Sequence, residues 1–392
     1  MEASRIQVKR IPMAIYLDNA ATSHPKPESV YQAVMHAMRE IGASPGRGGH
    51  RRSLEAGRLL LKAREAIAAL FSIPDSSRII MTHSATEALN LALRGVLVHG
   101  DHVVTTSMEH NSLMRPLAAL RASGVEVTVV RGDGTGMVDP ADVRRALRPT
   151  TRMIALAHIS NVCGAIQAID SMGAIAREAG VLFLLDAAQS AGSEPIDVKR
   201  TGIDLLAAPG HKGLYGPQGT GFLYVSPAVP LKPLLQGGTG SSSTAEAQPL
   251  TLPEGFEAGT HNLPGIAGLK AGVEFVLEQG VAVIGDKERR LVTLAAERLA
   301  ELPDVTLYGP SDPALRGSVL SFTVAGTDPA ALAFMLDHSH DIAVRAGLHC
   351  APQAHRTLGT FPGGALRMSP GWFSTGEEIA IFCDAVVECC RP

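Results

Sequence analysis

The chain has few aromatic residues, few charged residues and few cysteines. Phe, Trp and Tyr make up 4% of its 392 residues, charged residues make up 19%, and there are five cysteines. An odd number of cysteines without paired C-x-x-C spacing favours neither a disulfide framework nor a zinc ribbon. We therefore expect a reducing, cytoplasmic location.

The sequence also lacks the signals of export, membrane insertion and polyanion binding. No run of about 18 apolar residues occurs, and residues 1–14 have no apolar signal-peptide core. The net charge is −3, so we do not expect nucleic acid as a partner. Apolar residues still make up 45% of the chain, which is enough to form the cores of two or three domains.

Short apolar runs alternate with helical periodicity between residues 53 and 225, a pattern typical of an α/β protein. Parallel strands that are covered on both faces are apolar throughout, so seven such runs predict a mostly parallel, seven-stranded sheet. The predicted strands are Arg78–Met81, His102–Thr106, Glu126–Val130, Met153–His158, Val181–Leu185, Ile203–Ala207 and Thr220–Val225. The clearest predicted helices follow Ser53 and span Ala88–Leu97.

The remainder of the chain predicts a long loop and a second, smaller unit. Residues 237–265 are rich in turn-forming residues, and a loop of this length is usually functional or disordered. An α+β unit follows, with helices predicted at Gly265–Leu277, at Arg289–Leu302 and from Thr375, and strands at Val305–Leu307, Ser318–Val324 and Ile342–Val344. We expect a large domain at residues 15–277 and a small domain built from residues 1–14 and 278–392.

Three segments place polar or reactive residues near the ends of predicted strands. Thr82–Thr86 leads into a helix whose N-terminal N–H groups can bind an anion, although an ordinary helix cap gives the same pattern. Asp186 ends a strand at the edge where open α/β sheets bind ligands, or it caps a helix. Lys212 lies between Gly210 and Gly213 and is sterically accessible, as a surface lysine also is.

Together these segments supply the three protein groups that pyridoxal phosphate requires. These groups are an anion site, a partner for the pyridinium nitrogen and an amine that forms an imine. A dinucleotide site is not favoured, because no G-x-G-x-x-G follows a strand and opens a helix; Gly132–Gly136 leads into a turn instead. The combination predicts a pyridoxal phosphate enzyme.

Ten motifs occur in order between residues 16 and 380. They are YLDNAATS, GRGGHRRS, SATEALN, MEHNS, HISNVCG, DAAQSAG, GHKGLYGPQGTG, EAGTHN, RAGLHCAP and ALRMSPGWFST. These motifs resemble the class V aminotransferase superfamily, and within it the second-group, short-loop form of the cysteine desulfurase and selenocysteine lyase branch. The resemblance implies fold type I of the pyridoxal phosphate-dependent transferases and a homodimer.

The implied activity is the conversion of L-cysteine to L-alanine, with the sulfur passing to Cys350 as a persulfide and then to an acceptor protein. L-selenocysteine is the alternative substrate of this branch. Another class V activity, namely β-elimination, epimerisation or transamination of an amino acid, also stays open. A non-catalytic protein of the same fold is disfavoured, because it would have no need of Lys212 and Asp186.

The resemblance also implies a role for each matching residue. Lys212 would hold the cofactor through an imine and move the substrate α-proton, and Asp186 would pair with the pyridine nitrogen. The other expected cofactor ligands are Gln189 at the phenolic oxygen, His110 on the ring, and Ala85, Thr86, His211 and the neighbouring subunit's Thr260 at the phosphate. The expected substrate-binding residues are Asn161, Arg367, His50 and Arg345.

Cys350 is expected to be the reactive cysteine. Arg345 and His349 are close to it in sequence, and nearby cations favour the thiolate. Cys163 is kept as a cysteine that could lie near the site, since it follows Asn161 by two residues. The remaining three, Cys383, Cys389 and Cys390, are expected to serve packing or to lie at the terminus.

Three features depart from the pattern of the resembled branch. Pro209 stands where relatives often have a phosphate-binding hydroxyl, and Gly213 is an extra residue after Lys212. His355 and Arg356 follow the cysteine in a loop unlike that of the best-known members. The identity of the sulfur acceptor is therefore left open.

Overall fold

Seven strands form one large sheet in the computed structural model, which describes residues 15–46, 48–240 and 244–390. They are β2 (Ile79–Thr82), β3 (His102–Thr106), β4 (Glu126–Val130), β5 (Thr151–Ala157), β6 (Leu182–Asp186), β7 (Leu205–Pro209) and β8 (Gly221–Val225). The spatial order is β2-β8-β7-β6-β5-β3-β4, and β8 is antiparallel to both of its neighbours while the other pairs are parallel. The predicted α/β fold with a mostly parallel, seven-stranded sheet is confirmed.

Helices cover both faces of this sheet, because alternate residues of each strand point to opposite faces. Ile79 and Met81 of β2 pack in one apolar cluster, whereas Ile80 between them packs in another. The helices of this part are α1 (Glu28–His36), α2 (Arg51–Leu70), α3 (Ala85–Val96), α4 (Asn111–Ala122), α5 (Pro140–Arg145), α6 (Ile169–Ala179), α7 (Val198–Thr201) and α8 (Leu263–Gln279).

A four-stranded antiparallel sheet and four helices form the C-terminal unit. The sheet has the order β12-β13-β10-β9, from β9 (Val305–Tyr308), β10 (Leu320–Val324), β12 (Arg345–Gly347) and β13 (Ala365–Met368). The helices are α9 (Val281–Ala300), α10 (Pro329–His340), α11 (Pro352–Leu358) and α12 (Gly376–Cys390). The α+β character was predicted, but α10, α11, β12 and β13 were not.

The first described strand, near the start of the chain, packs with the C-terminal unit. β1 (Ile15–Tyr16) pairs in parallel with β11 (Ile342–Ala343), so the strand predicted near residue 342 lies outside the four-stranded sheet. Leu17 is buried in the same apolar cluster as Phe322. Residues 1–14, which the sequence assigned to the small domain, lie outside the described residues, and the division into domains stays a prediction.

The described ranges contain neither a membrane-spanning helix nor a cluster of metal ligands. None of the helices there is long and apolar enough to cross a membrane. In the same ranges, no group of three or more His, Cys, Asp or Glu side chains has the arrangement of a metal site.

Candidate active site

A pocket of about 220 Å³ lies at the carboxyl ends of the central strands, where β6 ends in Asp186 and β7 ends in Pro209. Eleven of the thirteen predicted site residues line it, although they are spread over most of the chain. They are Ala85, Thr86, His110, Asn161, Asp186, Gln189, His211, Lys212, Arg345, Cys350 and Arg367. Thr260 and His50 are not among the lining residues.

Asp186 and Lys212 form the charged centre of the pocket. Asp186 is 3% exposed, and its Oδ1 accepts a hydrogen bond of 2.9 Å from the N–H of Ala188. Burial raises the pKa of Asp186, while this hydrogen bond and the charge of Lys212 act in the opposite direction. Burial lowers the pKa of Lys212 to about 8, although the carboxylate of Asp186 opposes this shift. Lys212 therefore has a larger share of neutral amine near pH 8 than a surface lysine has.

The turn that carries the lysine is held by the loop after β1. The carbonyl of His211 accepts hydrogen bonds from Thr22 Oγ1 at 3.1 Å and from the Ser23 N–H at 3.0 Å. A Cβ atom on Gly213 would lie 2.4 Å from the carbonyl oxygen of Ala191, closer than real side chains approach. The extra glycine after the lysine is therefore required by close backbone packing.

One end of the pocket has the properties of an anion site. Ser84 caps α3 through its side chain, and the first hydrogen bond of the helix runs from the Ala88 N–H to the Ser84 carbonyl. The N–H groups of Ala85 and Thr86 precede that bond, so the helix uses neither of them. His211 Nδ1 is buried and has no partner among the described residues. Burial lowers the pKa of His211 to about 4, so its ring is neutral at pH 7.

His110 and Gln189 line the middle of the pocket. His110 caps α4, where its Nδ1 accepts a hydrogen bond of 3.0 Å from the Ser112 N–H. Burial, together with the charge of Lys212, lowers the pKa of His110 to about 4 and keeps the ring uncharged. Gln189 Nε2 donates one hydrogen bond to the Ala20 carbonyl at 3.1 Å, which orients the amide. The amide has a second N–H group that can donate to a ligand.

Arg367 is a buried guanidinium with a partner that the sequence did not reveal. It is 2% exposed, and its Nη2 donates to Asp18 Oδ1 at 2.7 Å. Its Nη1 donates to the Asn161 carbonyl at 3.0 Å, and its Nε is buried without a partner in the described residues. Asp18 therefore balances the charge of Arg367, and the unpartnered Nε–H group remains available to a carboxylate ligand. The contact joins residues 349 positions apart, although Asp18 lies within the first quoted motif.

Glu109 is a second residue that sequence reasoning missed, although it immediately precedes His110. It is 1% exposed, and its carboxyl group accepts hydrogen bonds from Thr106 Oγ1 at 2.5 Å and from the Ala157 N–H at 2.8 Å. Burial raises its pKa to about 8. Glu109 thus links the ends of β3 and β5 beside the pocket as a mostly uncharged acid at pH 7.

Cys350 is exposed and lines the same pocket, on the loop between β12 and α11. The Asn111 N–H, at the start of α4, donates to the Cys350 carbonyl at 2.7 Å. Arg345 also lines the pocket and supplies a cation there. The expectation that His349 would be a second cation is wrong, because burial lowers its pKa to about 3 and leaves its ring neutral.

A family model now identifies the chain. The model of the aminotransferase class V family matches residues 15–382. The chain belongs to this family. The resemblance and the type I fold expected from the ten motifs are thereby confirmed, and the family is one of pyridoxal phosphate enzymes in general.

Several relatives within the family are cysteine desulfurases. The chain is 37% identical over 380 residues to a probable cysteine desulfurase of Methanothermobacter thermautotrophicus, covering 95% of this chain and 94% of the relative. An apo structure of the cysteine desulfurase from Thermococcus onnurineus matches with a TM-score of 0.89 and 35% identity, covering 96% and 94% of the two chains. The cysteine desulfurase CsdA from Escherichia coli matches with a TM-score of 0.86 and 28% identity, over the same shares of the two chains.

The other four cysteines of this family member pack in its interior or near its C-terminus. Cys163 is fully buried in the core of the large sheet, outside the pocket lining, and burial raises its pKa. Cys383 is buried, while Cys389 and Cys390 are half-buried, and all three pack with the apolar cluster of the C-terminal unit. Cys350 is therefore the one cysteine of the five that lines the pocket.

Thr260 lies in a separate groove, together with residues of the β2–α3 turn. Its segment is anchored by the buried side chain of Glu257. Glu257 accepts hydrogen bonds from Arg64 Nη2 at 2.6 Å, the Met81 N–H at 2.6 Å and the ring of His261 at 2.7 Å. Within one chain Thr260 therefore has a fixed position outside the pocket.

His50 also lies outside the pocket. It is exposed and caps α2, where its Nδ1 accepts a hydrogen bond of 3.3 Å from the Ser53 N–H. The single chain therefore does not bring His50 to the predicted substrate position, and its role in substrate binding stays a prediction.

Proposed function

We propose that this protein is a pyridoxal phosphate-dependent cysteine desulfurase, which converts L-cysteine to L-alanine and leaves the sulfur as a persulfide on Cys350. One observation carries the proposal: an exposed cysteine shares a pocket with a buried aspartate and with a lysine of lowered pKa. The names of the relatives support the same activity.

The residues of the pocket fit the cofactor. Asp186 would pair with the pyridine nitrogen, Gln189 would donate to the phenolic oxygen and the uncharged ring of His110 would contact the cofactor ring. The unpartnered Nδ1 of His211 and the first two N–H groups of α3 would hold the phosphate. When bound, pyridoxal phosphate supplies an electron sink that stabilises negative charge at the α-carbon of an amino acid.

Lys212 would move the α-proton of the substrate at its Nζ atom. A base works best when its pKa is near the working pH, and the value of about 8 meets that condition better than the ordinary 10.5. The negative charge of Asp186 prevents a larger fall in this pKa, because it favours the ammonium form. The pocket thus tunes the amine to accept a proton and to release it again near neutral pH.

Two arginines would orient the substrate carboxylate. Arg367 is held in place by Asp18 and by the Asn161 carbonyl, and its unpartnered Nε remains for the ligand. Arg345 contributes a second positive charge at the rim, where it is exposed. Asn161 was expected to contact the substrate, but its Nδ2 donates to the His349 carbonyl at 2.7 Å. We propose that Asn161 also positions the cysteine loop.

The sulfur transfer would use the thiolate of Cys350 as the nucleophile. Its Sγ attacks the sulfur of the substrate, so that an S–S bond forms while the bond between the substrate β-carbon and sulfur breaks. The β-carbon receives the electron pair and then a proton. Cysteine and the Cys350 thiol therefore give alanine and the Cys350 persulfide with no external oxidant.

A homodimer would bring Thr260 to the pocket of the neighbouring subunit. One chain leaves Thr260 outside its own pocket. Exposed apolar side chains also lie on α1, on α2 and on the segment between them. These side chains, each at least 43% exposed, are Tyr31, Met35, Met38, Leu54 and Leu61. Apolar patches of this kind are typical of subunit interfaces. We propose that a second copy of the chain covers this face.

The exposure of Cys350 also supports transfer of the sulfur to an acceptor protein, since an incoming thiol can reach the persulfide. All five cysteines are free thiols, as suits a reducing cytoplasm, which we propose as the location. If L-selenocysteine were the substrate, Lys212 and Asp186 would serve the same roles.

The proposal is tested by incubating the loaded enzyme with L-cysteine and a reductant and measuring alanine and sulfide. We expect Cys350→Ala to abolish both products. Cys389→Ala is the matched control, because that cysteine lies outside the pocket, and it should retain the wild-type rates. Equal rates in wild type and Cys350→Ala would refute the persulfide mechanism. Selenocysteine turnover that survives Cys350→Ala would favour a lyase instead.

A further inference from the structure

The loop that carries Cys350 has an unfavourable backbone conformation. His349 and Cys350 have φ angles of 47° and 57°, in the left-handed region that side chains other than glycine rarely adopt. Two consecutive residues of this kind persist only when the surrounding structure holds them firmly. The sulfur-bearing residue therefore needs a specific restraint.

The backbone on both sides of this turn is held by residues of the large unit. Asn161 Nδ2 donates to the His349 carbonyl at 2.7 Å, and the Asn111 N–H donates to the Cys350 carbonyl at 2.7 Å. The Ala351 N–H closes the turn with a bond of 2.8 Å to the Leu348 carbonyl. These bonds fix the peptide groups but do not hold the side chain of His349.

A chain of hydrogen bonds holds that side chain from behind. The His349 ring stacks on the fully buried ring of His355, with centroids 5.4 Å apart and an angle of 27° between the planes. His349 Nδ1 lies 3.3 Å from His355 Nε2, and His355 Nδ1 lies 2.7 Å from Thr360 Oγ1. At the other end, His349 Nε2 lies 3.2 Å from the Arg345 carbonyl.

The direction of this chain follows from the Arg345 carbonyl, which can only accept. His349 Nε2 must therefore carry a proton, and its Nδ1 must accept when the ring is neutral. His355 then donates from Nε2 and accepts the Thr360 hydroxyl proton at Nδ1. Burial lowers the pKa of His349 to about 3 and that of His355 to about 4, so both rings keep this neutral form at pH 7.

We propose that His355 is a positioning residue, which acts through the His349 ring to hold the left-handed turn and to present Cys350 Sγ to the substrate sulfur. The inference depends on the proposed function, because it takes Cys350 to be the sulfur acceptor. Since neither ring is charged, the histidine pair orients the nucleophile but does not stabilise the negative charge of the thiolate. Arg345 is the cation of this loop that lines the pocket.

The test compares His355→Leu, which removes the hydrogen bonds, with His355→Gln, whose amide can both donate to His349 and accept from Thr360. His102→Leu is the matched control, because His102 is equally buried and bonds Thr151 and Thr128 at 2.8 Å, outside the pocket. The readouts, all on the loaded enzyme, are single-turnover alanine formation, the KM for L-cysteine, the alkylation rate of Cys350 against pH, and the melting temperature.

We expect His355→Leu to slow the single turnover about ten-fold or more, since small errors in placing a nucleophile are costly. KM and the pH midpoint of alkylation should stay at their wild-type values, and His355→Gln should recover most of the rate. His102→Leu should lower the melting temperature without slowing the turnover. If His355→Leu does not fold, Thr360→Val, which removes the last hydrogen bond of the chain, should show a smaller slowing of the same step.

An unchanged single turnover in His355→Leu, or in Thr360→Val if that variant must be used, would overturn the proposal. Equal slowing in His355→Leu and His355→Gln would also overturn it. A shift of the pH midpoint of Cys350 alkylation to higher pH would overturn it too, because the histidines would then act on the charge of the thiolate. These results differ from failure of the proposed function, in which Cys350→Ala itself forms alanine at the wild-type rate.

Discussion

The buried ion pair of Arg64 and Glu257 leads to the sharpest stability prediction. The two side chains are 9% and 2% exposed and their nearest charged atoms are 2.6 Å apart. Glu257 also accepts from the Met81 N–H and from His261. In Glu257→Gln one oxygen is replaced by an NH₂ group, so a donor must face Arg64 or Met81. Removing one partner of a buried pair costs ~3–5 kcal/mol, and we expect a loss near the lower end because Gln keeps one acceptor.

The assay is urea unfolding at a fixed protein concentration, carried out on Glu257→Gln, Arg64→Leu and the double variant. Because the two residues are in contact, the double variant should lose ~1–3 kcal/mol less than the sum of the single losses. Glu178→Gln is the control, since its ion pair with Arg144 is more than half exposed and should be worth less than about 1 kcal/mol. A loss below about 1 kcal/mol in Glu257→Gln, or strictly additive losses, would show that the buried pair does not stabilise the fold in this way.

The same pair predicts a pH dependence. Burial alone would raise the pKa of Glu257, but the hydrogen bond from His261 and the charge of Arg64 outweigh it and lower this pKa below its ordinary value of 4.5. A lowered pKa in the folded state means that the stabilisation is present above the unfolded value and is lost as the pH falls through the folded value. The wild-type advantage over Glu257→Gln should therefore shrink below pH 4.5. An advantage that is constant down to acid unfolding would contradict this assignment.

Three further predictions concern the pocket. Mixing Lys212→Ala chains with Thr260→Asp chains should restore activity that neither has alone, because one hybrid site is then intact; no recovery after subunit exchange would place Thr260 in its own site. Uptake of pyridoxal phosphate by the apoenzyme should accelerate with pH up to a midpoint near 8, where Lys212 loses its proton, and a midpoint above 10 would contradict the lowered pKa. Gly213→Ala should lower stability by ~1–3 kcal/mol and weaken cofactor binding, since its Cβ would meet the Ala191 carbonyl at 2.4 Å, whereas Gly134→Ala meets no atom within 4 Å and should be neutral by calorimetry and cofactor titration.

The large sheet could be predicted because its strands are continuous apolar runs bounded by turns. The predicted bounds of His102–Thr106 and Glu126–Val130 are confirmed, and Asp186 ends its strand as expected. The C-terminal unit was harder to predict. The apolar residues of α10 are spread around the helix and do not form a single apolar face that a sequence pattern would reveal. The short strand at Ile342 pairs with Ile15, far away in the sequence.

Site residues that lie within a recognisable motif could be predicted from the sequence. A residue whose place in the site depends on a contact with a distant part of the chain could not. Lys212 and Asp186 lie in motifs that identify them, and both line the pocket. Asp18 acts through a contact with Arg367 that only the folded chain creates. The charge of His349 could not be foreseen for a similar reason, because its pKa depends on burial beside His355.

Mass spectrometry of the protein after one turnover shows whether Cys350 receives the sulfur of L-cysteine. The loaded enzyme is mixed with L-cysteine without a reductant, quenched with an alkylating agent and digested. We expect one additional sulfur atom on the peptide that contains Cys350, formed in step with alanine. Alanine released without that added sulfur, or with the sulfur on another cysteine, would contradict this expectation.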